Sequence, residues 1–185
     1  VLSRGLGDVY KRQIFSRQRY WGEPIPIYYK NGIPFSIEKD YLPLELPDVD
    51  NFLPTKSGDS PLGNSRVWAW NEKTKKVKSN SEINNIDTFP LELNTMPGWA
   101  GSSWYFYRYM DPTNDKEFIS EESQKYWEDI DIYFGGSEHA TGHLLYSRFY
   151  QKFLYDLGYL NHDEYSKKLI NQGMILGNSA FIYRI

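Results

Sequence analysis

The sequence predicts a mixed α/β fold in which an open sheet occupies the second half of the chain. Three observations predict it. Ile130, Ile132 and Phe134 alternate along a short strand that meets Gly135-Gly136 and then a long helical pattern. A second strand candidate, Leu169-Ile170, follows that helix, as a strand–helix–strand unit requires. Upstream, Asn31-Gly32 separates two short apolar runs, which is a hairpin signal.

Taken in order, residues 1–13 show neither helical nor strand period and are set aside from the fold as a leader or an artefact such as a mistaken gene boundary. Residues 14–37 form a first segment. Pro24 and Pro26 hold Glu23 and Ile25 out of the helical region, so a strand through Ile27–Tyr29 pairs back with 33–37. Residues 38–97 are an extended, proline-interrupted connection with Pro43, Pro47, Pro54 and Pro61. Within it, Trp68 and Trp70 mark a small exposed strand pair over 67–79, and 80–97 reads as irregular linker. Residues 98–185 carry the α/β pattern. A helix opens near Gly98 or Ser102 and runs to Met110, and Ser120 caps a short helix to Trp127 with Glu121 and Glu122 in its first turn. A long helix runs from Glu138 to Leu157, with Leu144, Leu145, Phe149, Phe153 and Leu157 as its apolar face and Gly158 as its cap.

Composition narrows the function. The 185 residues are 40% hydrophobic and 24% charged, ordinary for a globular chain. Aromatics reach 17%, which favours an aromatic core or cleft over disorder. A net charge of −3 excludes a broad basic surface for nucleic acid, so any RNA contact rests on a few placed cations. The absence of cysteine excludes disulfides, thiolate metal sites and a thiol nucleophile. No apolar run reaches the length of a membrane helix, and a cytoplasmic protein is the expectation.

Three segments carry chemistry. In residues 130–149, glycines at a strand end admit a ligand close to the backbone. The following helix start offers free N–H groups, and Glu138 is placed to accept from a ribose diol. His139 and His143, four apart on one helix face, read as a metal pair, as cleft-lining imidazoles or as core histidines. Glu138 precedes the first histidine, unlike the H-E-x-x-H order, and only His162 remains as a further histidine, which weighs against zinc. In residues 94–112, small Gly98, Gly101, Ser102 and Ser103 stand among large aromatics, the lining of either a small-ligand pocket or an aromatic core. In residues 15–29, Arg17 and Arg19 fall on one side of an extended chain. They suit either a phosphate clamp or a solvated surface pair. A sugar-binding aromatic platform is disfavoured by the helical reading of 98–158.

These segments, in this order, resemble leucyl-tRNA synthetases over roughly residues 14–184. SRQRYWGEPIP is similar to the family's return into the catalytic core, TMPGWAGSSWYFYRYMDP to its SSWY segment, YFGGSEHATGHLLYSRF to its GG-x-E-H-A-x-x-H-L-L-Y-x-R-F signature and NQGMIL to its QGM strand. The resemblance implies the second half of a class I Rossmann-like catalytic domain with a connective insertion. It implies ATP-dependent formation of leucyl-adenylate and transfer to tRNA(Leu), in a monomeric parent with no membrane contact. Gly135, Gly136, Glu138, His139, Gln172, Gly173 and Met174 would hold ATP and the adenylate. Trp99, Ser102, Tyr105 and His143 would form the leucine pocket, and Arg17 and Arg19 would reach the tRNA acceptor end. Magnesium would arrive with ATP, and no protein-bound zinc is expected.

The chain departs from the family in Trp99, where phenylalanine is commoner, in Asn94 and Pro97 in place of aspartates, and in lacking a cysteine module over 30–90. The HIGH and KMSKS motifs are absent from these 185 residues, so no catalytic residue is assigned and the stretch alone is expected to be inactive. The alternatives are a degenerate non-catalytic fragment, or a relative of the isoleucyl or valyl enzymes, whose signature carries D-x-H instead.

Overall fold

The computed structural model describes residues 15–173, 176–178, 180–182 and 184. The chain divides into two compact units, Val1–Gly98 and Trp99–Ile185.

The first unit is built from short antiparallel strands. β1 (Ile27–Lys30) and β2 (Ile33–Ser36) pair with Ile27 opposite Ser36 and Lys30 opposite Ile33. The expected turn joins them, with Asn31 and Gly32 both at positive φ (51° and 79°), the conformation that Asn-Gly adopts most readily. A second sheet has the order β4-β3-β5, where β3 is Ala69–Asn71, β4 is Lys76–Lys78 and β5 is Thr88–Pro90. Two expectations fail here. Trp68 and Trp70 are 2% and 3% exposed, not surface residues, and the Trp68 indole N–H donates to the Glu92 carbonyl at 2.9 Å. Residues 88–90, read as linker, supply the third strand. Tyr28, Leu62, Phe89 and Leu91 close over the two indoles as one core. The connection thus has its own hydrophobic centre, which prolines at regular intervals had concealed.

Among the described residues the second unit has four α-helices: α1 (Trp99–Ser102), α2 (Tyr105–Met110), α3 (Glu121–Trp127) and α4 (His143–Asp156). The expected helix over 99–110 is broken at Ser103-Trp104, where Trp104 takes φ −140° and ψ 5°. The Ser120 side chain accepts from the Ser123 N–H, capping α3 as its sequence predicts. β6 (Tyr133–Gly136) and β7 (Leu169–Gln172) pair in parallel, with α4 lying between them in sequence. Gly135-Gly136 therefore do not interrupt the strand but belong to it, as its last two residues. Ile132 and Phe134, the alternating apolar residues, are 56% and 64% exposed. Phe106, Tyr107, Ile119, Leu160 and Tyr165 form the core.

Helix α4 differs most from expectation. It starts at His143, after a 3-10 turn over Ser137–His139. Of its expected apolar face only Leu144 is buried; Leu145, Phe149, Phe153 and Leu157 are all more than half exposed. The buried side instead carries His143, Tyr146, Ser147 and Gln151. Hydrogen bonds explain this. Gln151 accepts from the Tyr107 hydroxyl at 2.5 Å and donates to the His162 carbonyl at 2.6 Å, and Ser147 donates to the Tyr165 hydroxyl at 3.2 Å. The helix ends as predicted. Gly158, at φ 78°, donates to the Tyr155 carbonyl, and Tyr159 donates to that of Leu154, the paired pattern of a glycine-terminated helix.

Candidate active site

Parallel pairing of β6 and β7 sets Gly135 opposite Asn171 and Gly136 opposite Gln172. The carboxyl ends of two neighbouring parallel strands thus bring Gly135, Gly136 and Gln172 together, with Gly173 next in the chain. Ligands of open α/β sheets bind at such strand ends. A Cβ added at Gly135 or Gly173 would meet nothing within 4 Å, so the backbone there fronts open space. At Gly136 the reverse holds. The Glu138 carboxylate folds back over it, and an added Cβ would lie 2.1–2.3 Å from the carboxylate atoms. Met174 lies outside the described residues.

Glu138 occupies the first turn after β6, two-thirds exposed, with its Oε1 3.8 Å from His139 Nε2. His139 belongs to the 3-10 turn and His143 opens α4, so the two do not share one helix face. Their ring centroids are nonetheless 6.2 Å apart, and the Trp99 indole stands 6.3 Å from each. Gly142 admits this arrangement: an added Cβ would lie 2.9 Å from the indole carbon Cε2.

Tyr105 completes the group, with its ring 5.9 Å from His143. Its hydroxyl meets that of Tyr133 at 2.7 Å, and the Tyr133 hydroxyl meets His143 Nε2 at 2.6 Å. Ser102 donates to the Trp99 carbonyl at 3.2 Å, in its own helix. Burial pushes the His143 imidazole below its usual range, and the neighbouring His139 adds to the effect. Burial likewise pushes the Tyr133 phenol up, helped by Tyr105. His143 and Tyr133 are therefore uncharged at neutral pH, and the Glu138 carboxylate is exposed.

Trp99, Tyr105, His139 and His143 come together as the sequence suggests, and Gly135, Gly136, Glu138 and Gln172 gather at the strand ends. Tyr133 and Gly142 join them without a signal of their own in the sequence. Tyr133 was hidden by the alternation of its neighbours, and Gly142 lacked a turn signature. Among the described residues, no three His, Asp or Glu side chains converge to hold a metal ion. No described helix is long and apolar enough to cross a membrane. Three hollows lie away from these residues. One of about 720 Å³ and one of about 750 Å³ belong to the first unit. One of about 440 Å³ in the second unit lies between Phe106, Tyr109 and Trp127. The candidate site is identified by its chemistry.

Arg17 and Arg19 sit in the first unit. Arg17 exchanges two backbone hydrogen bonds with the buried Thr95, at 2.8 and 3.0 Å, and its guanidinium donates to the Ser16 carbonyl at 3.0 Å. The Arg19 N–H donates to the Arg17 carbonyl at 2.9 Å. That tight turn removes the extended geometry that had put both side chains on one side. Arg19 remains exposed.

No family model matches the chain. Curated relatives do. A leucine–tRNA ligase of Flavobacterium psychrophilum is 62% identical over 187 residues, covering 100% of this chain and 19% of its own length. The ligases of Christiangramia forsetii and Flavobacterium johnsoniae are 57% and 60% identical, each across 93% of this chain. Among solved structures, the ternary LeuRS–tRNA–LeuAMS complex from Agrobacterium radiobacter matches with a TM-score of 0.66 at 38% identity. It covers 86% of this chain and 19% of that one. The chain spans about a fifth of the length of the curated relatives it matches.

Proposed function

The chain is homologous to leucine–tRNA ligases along its length, and on that premise we propose that it is the part of such a ligase that binds leucyl-adenylate. The whole protein joins leucine to tRNA(Leu) at the expense of ATP. This stretch is the second half of its Rossmann-like domain (98–185), preceded by a return segment (14–37) and a connective insertion (38–97). The triphosphate-handling HIGH and KMSKS motifs lie elsewhere in the whole enzyme, and the stretch alone is inactive.

The observation that carries this reading is the joining of two groups in the second unit. The strand ends with Gly135, Gly136 and Gln172 stand beside the aromatic wall of Trp99, Tyr105 and His143, and Glu138 and His139 connect them along the chain. Gly135, Gly136, Gln172, Gly173 and Met174 receive the adenosine, Glu138 accepts from the ribose diol, and His139 contacts the adenylate. Trp99, Ser102, Tyr105 and the neutral His143 surround the leucine side chain. Arg17 and Arg19 contribute cations toward the tRNA acceptor end, and magnesium enters bound to ATP. The leucine carboxylate attacks the α-phosphate in line and pyrophosphate leaves; the terminal ribose hydroxyl of the tRNA then attacks the adenylate carbonyl. Neither step needs an enzyme nucleophile, so positioning carries the catalysis.

The test is a crossed pair of variants in a full-length ligase carrying this stretch. Glu138→Gln should raise the KM for ATP more than that for leucine. His143→Ala should raise the KM for leucine and relax discrimination against smaller side chains. Equal losses for both substrates in both variants would sink the assignment.

A further inference from the structure

Tyr133 is the one polar side chain in the cleft that touches both the aromatic wall and a histidine without having been assigned a role. It comes from β6, Tyr105 from α2 and His143 from α4, so the chain of hydrogen bonds joining them ties three elements together. The Tyr133 ring is wedged, with Phe106 at 6.0 Å and Tyr165 at 5.2 Å, both edge-on. Its hydroxyl has one proton and two polar neighbours. A phenol O–H is a better donor than a neutral imidazole N–H, and a bare imidazole nitrogen is a better acceptor than a phenol oxygen. The chain therefore runs in one direction, with the Tyr105 O–H donating to the Tyr133 oxygen and the Tyr133 O–H donating to His143 Nε2. Aligned hydrogen bonds of this kind reinforce one another.

The consequence falls on the far side of the ring. With Nε2 accepting, the proton of the neutral imidazole resides on Nδ1. His143 is only 8% exposed, and Nδ1 has no hydrogen-bond partner among the described residues. Nδ1 is itself shielded from solvent, so the hydrogen bond that sets the tautomer is the one at Nε2. We propose that Tyr133, backed by Tyr105, is a positioning residue that fixes the ring orientation and tautomer of His143 in the cleft wall. The relay stands on the geometry alone; its service to leucyl-adenylate rests on the function proposed above.

The chain has three histidines, so the imidazole nitrogens of the ¹⁵N-labelled 185-residue protein can be followed individually by long-range ¹H–¹⁵N correlation. His143 should show one neutral tautomer, protonated at Nδ1. Tyr133→Phe should convert it to the other tautomer or to an exchanging mixture, and Tyr105→Phe should move it the same way by less. His162, whose Nδ1 lies 3.2 Å from Asp129 Oδ2, should not change, which shows that the fold persists. If Tyr133→Phe does not fold, Tyr105→Phe decides alone, since its hydroxyl reaches His143 only through Tyr133. A His143 spectrum that is unaltered in the folded variants, or that shows Nε2 protonated in the parent chain, overturns the proposal. In the full-length ligase, Tyr133→Phe should raise the leucine KM about five- to thirtyfold with less effect on kcat. A changed tautomer with an unchanged KM keeps the relay and refutes instead the reading of the cleft as the leucine site.

Discussion

Replacing Gly142 with alanine tests the cleft from its backbone side. The new methyl carbon would lie 2.9 Å from Trp99 Cε2, 3.0 Å from Cζ2 and 3.1 Å from Nε1. Carbon atoms pack at about 3.5–4.0 Å, so the indole must retreat by about 0.5–1 Å. Trp99 is 41% exposed and has solvent to move into. The folding cost therefore falls at the low end for overpacking, about 1 kcal/mol. The larger consequence is for the pocket. Losing the indole's contact forfeits roughly what one methylene contributes in an apolar site, so the leucine KM should rise about tenfold. The assay is leucine-dependent pyrophosphate exchange in a full-length ligase, with thermal melting of the 185-residue chain beside it. A double-mutant cycle with Trp99→Leu isolates the cause, because removing the indole removes the collision. If Gly142→Ala raises KM equally with leucine at position 99, Trp99 is not what the glycine accommodates, and the reasoning fails. Gly98→Ala is the control: nothing lies within 4 Å of its added methyl, and neither melting nor KM should change measurably.

Three further predictions concern the scaffold. Gln151→Leu strands the buried Tyr107 hydroxyl and the His162 carbonyl, and should destabilise the chain by about 2–4 kcal/mol in urea titrations. Adding Tyr107→Phe should then cost less than its effect alone. Arg148 first, and Lys152 with it, hold the Glu164 carboxyl down at about 2. A depressed pKa gives stabilisation that is complete above about 4.5 and is lost as pH falls toward 2. Both partners are well exposed, so screening limits it to about 0.5–1 kcal/mol. Glu164→Gln should flatten the stability curve across that window, and a curve unchanged by the substitution would assign acid unfolding to other groups. Gly158→Ala should lower stability by about 1 kcal/mol through its positive φ, with Gly158→Asn closer to wild type in melting experiments.

The features legible in the sequence were those set by one or a few neighbouring residues. Asn31-Gly32 fixed its hairpin because both residues accept positive φ, Ser120 capped its helix, and Gly158 ended α4. The site was legible as a set of residues but not as a geometry. His139 and His143 were read as stacked on one helix, whereas Gly142 interrupts the helix and the two rings meet across a turn. Arg17 and Arg19 were read as an extended pair, whereas Thr95, far along the sequence, pins the backbone and turns it. Thr95 also explains Gly22, where an added Cβ would lie 2.7 Å from the Thr95 hydroxyl. Neither partner is adjacent in sequence, so no local rule could have revealed the contact.

Helix α4 shows why periodicity alone misleads here. Its apolar stripe and its buried face are different faces. Periodicity identifies the side of a helix that gains most from leaving water, about 25 cal/mol per Å² of apolar surface. It says nothing about which side its neighbours can receive. In this chain the neighbours present hydroxyls and a carbonyl, on Tyr107, Tyr165, Tyr133 and His162. They select the polar side, because each of those groups would be costly if buried without a partner. The same preference places His143 at the cleft wall with Nε2 held by the Tyr133 hydroxyl. The polar face that defeated the periodicity argument is thus what orients the candidate site, and a helix read as simply amphipathic would have turned His143 away from Tyr133.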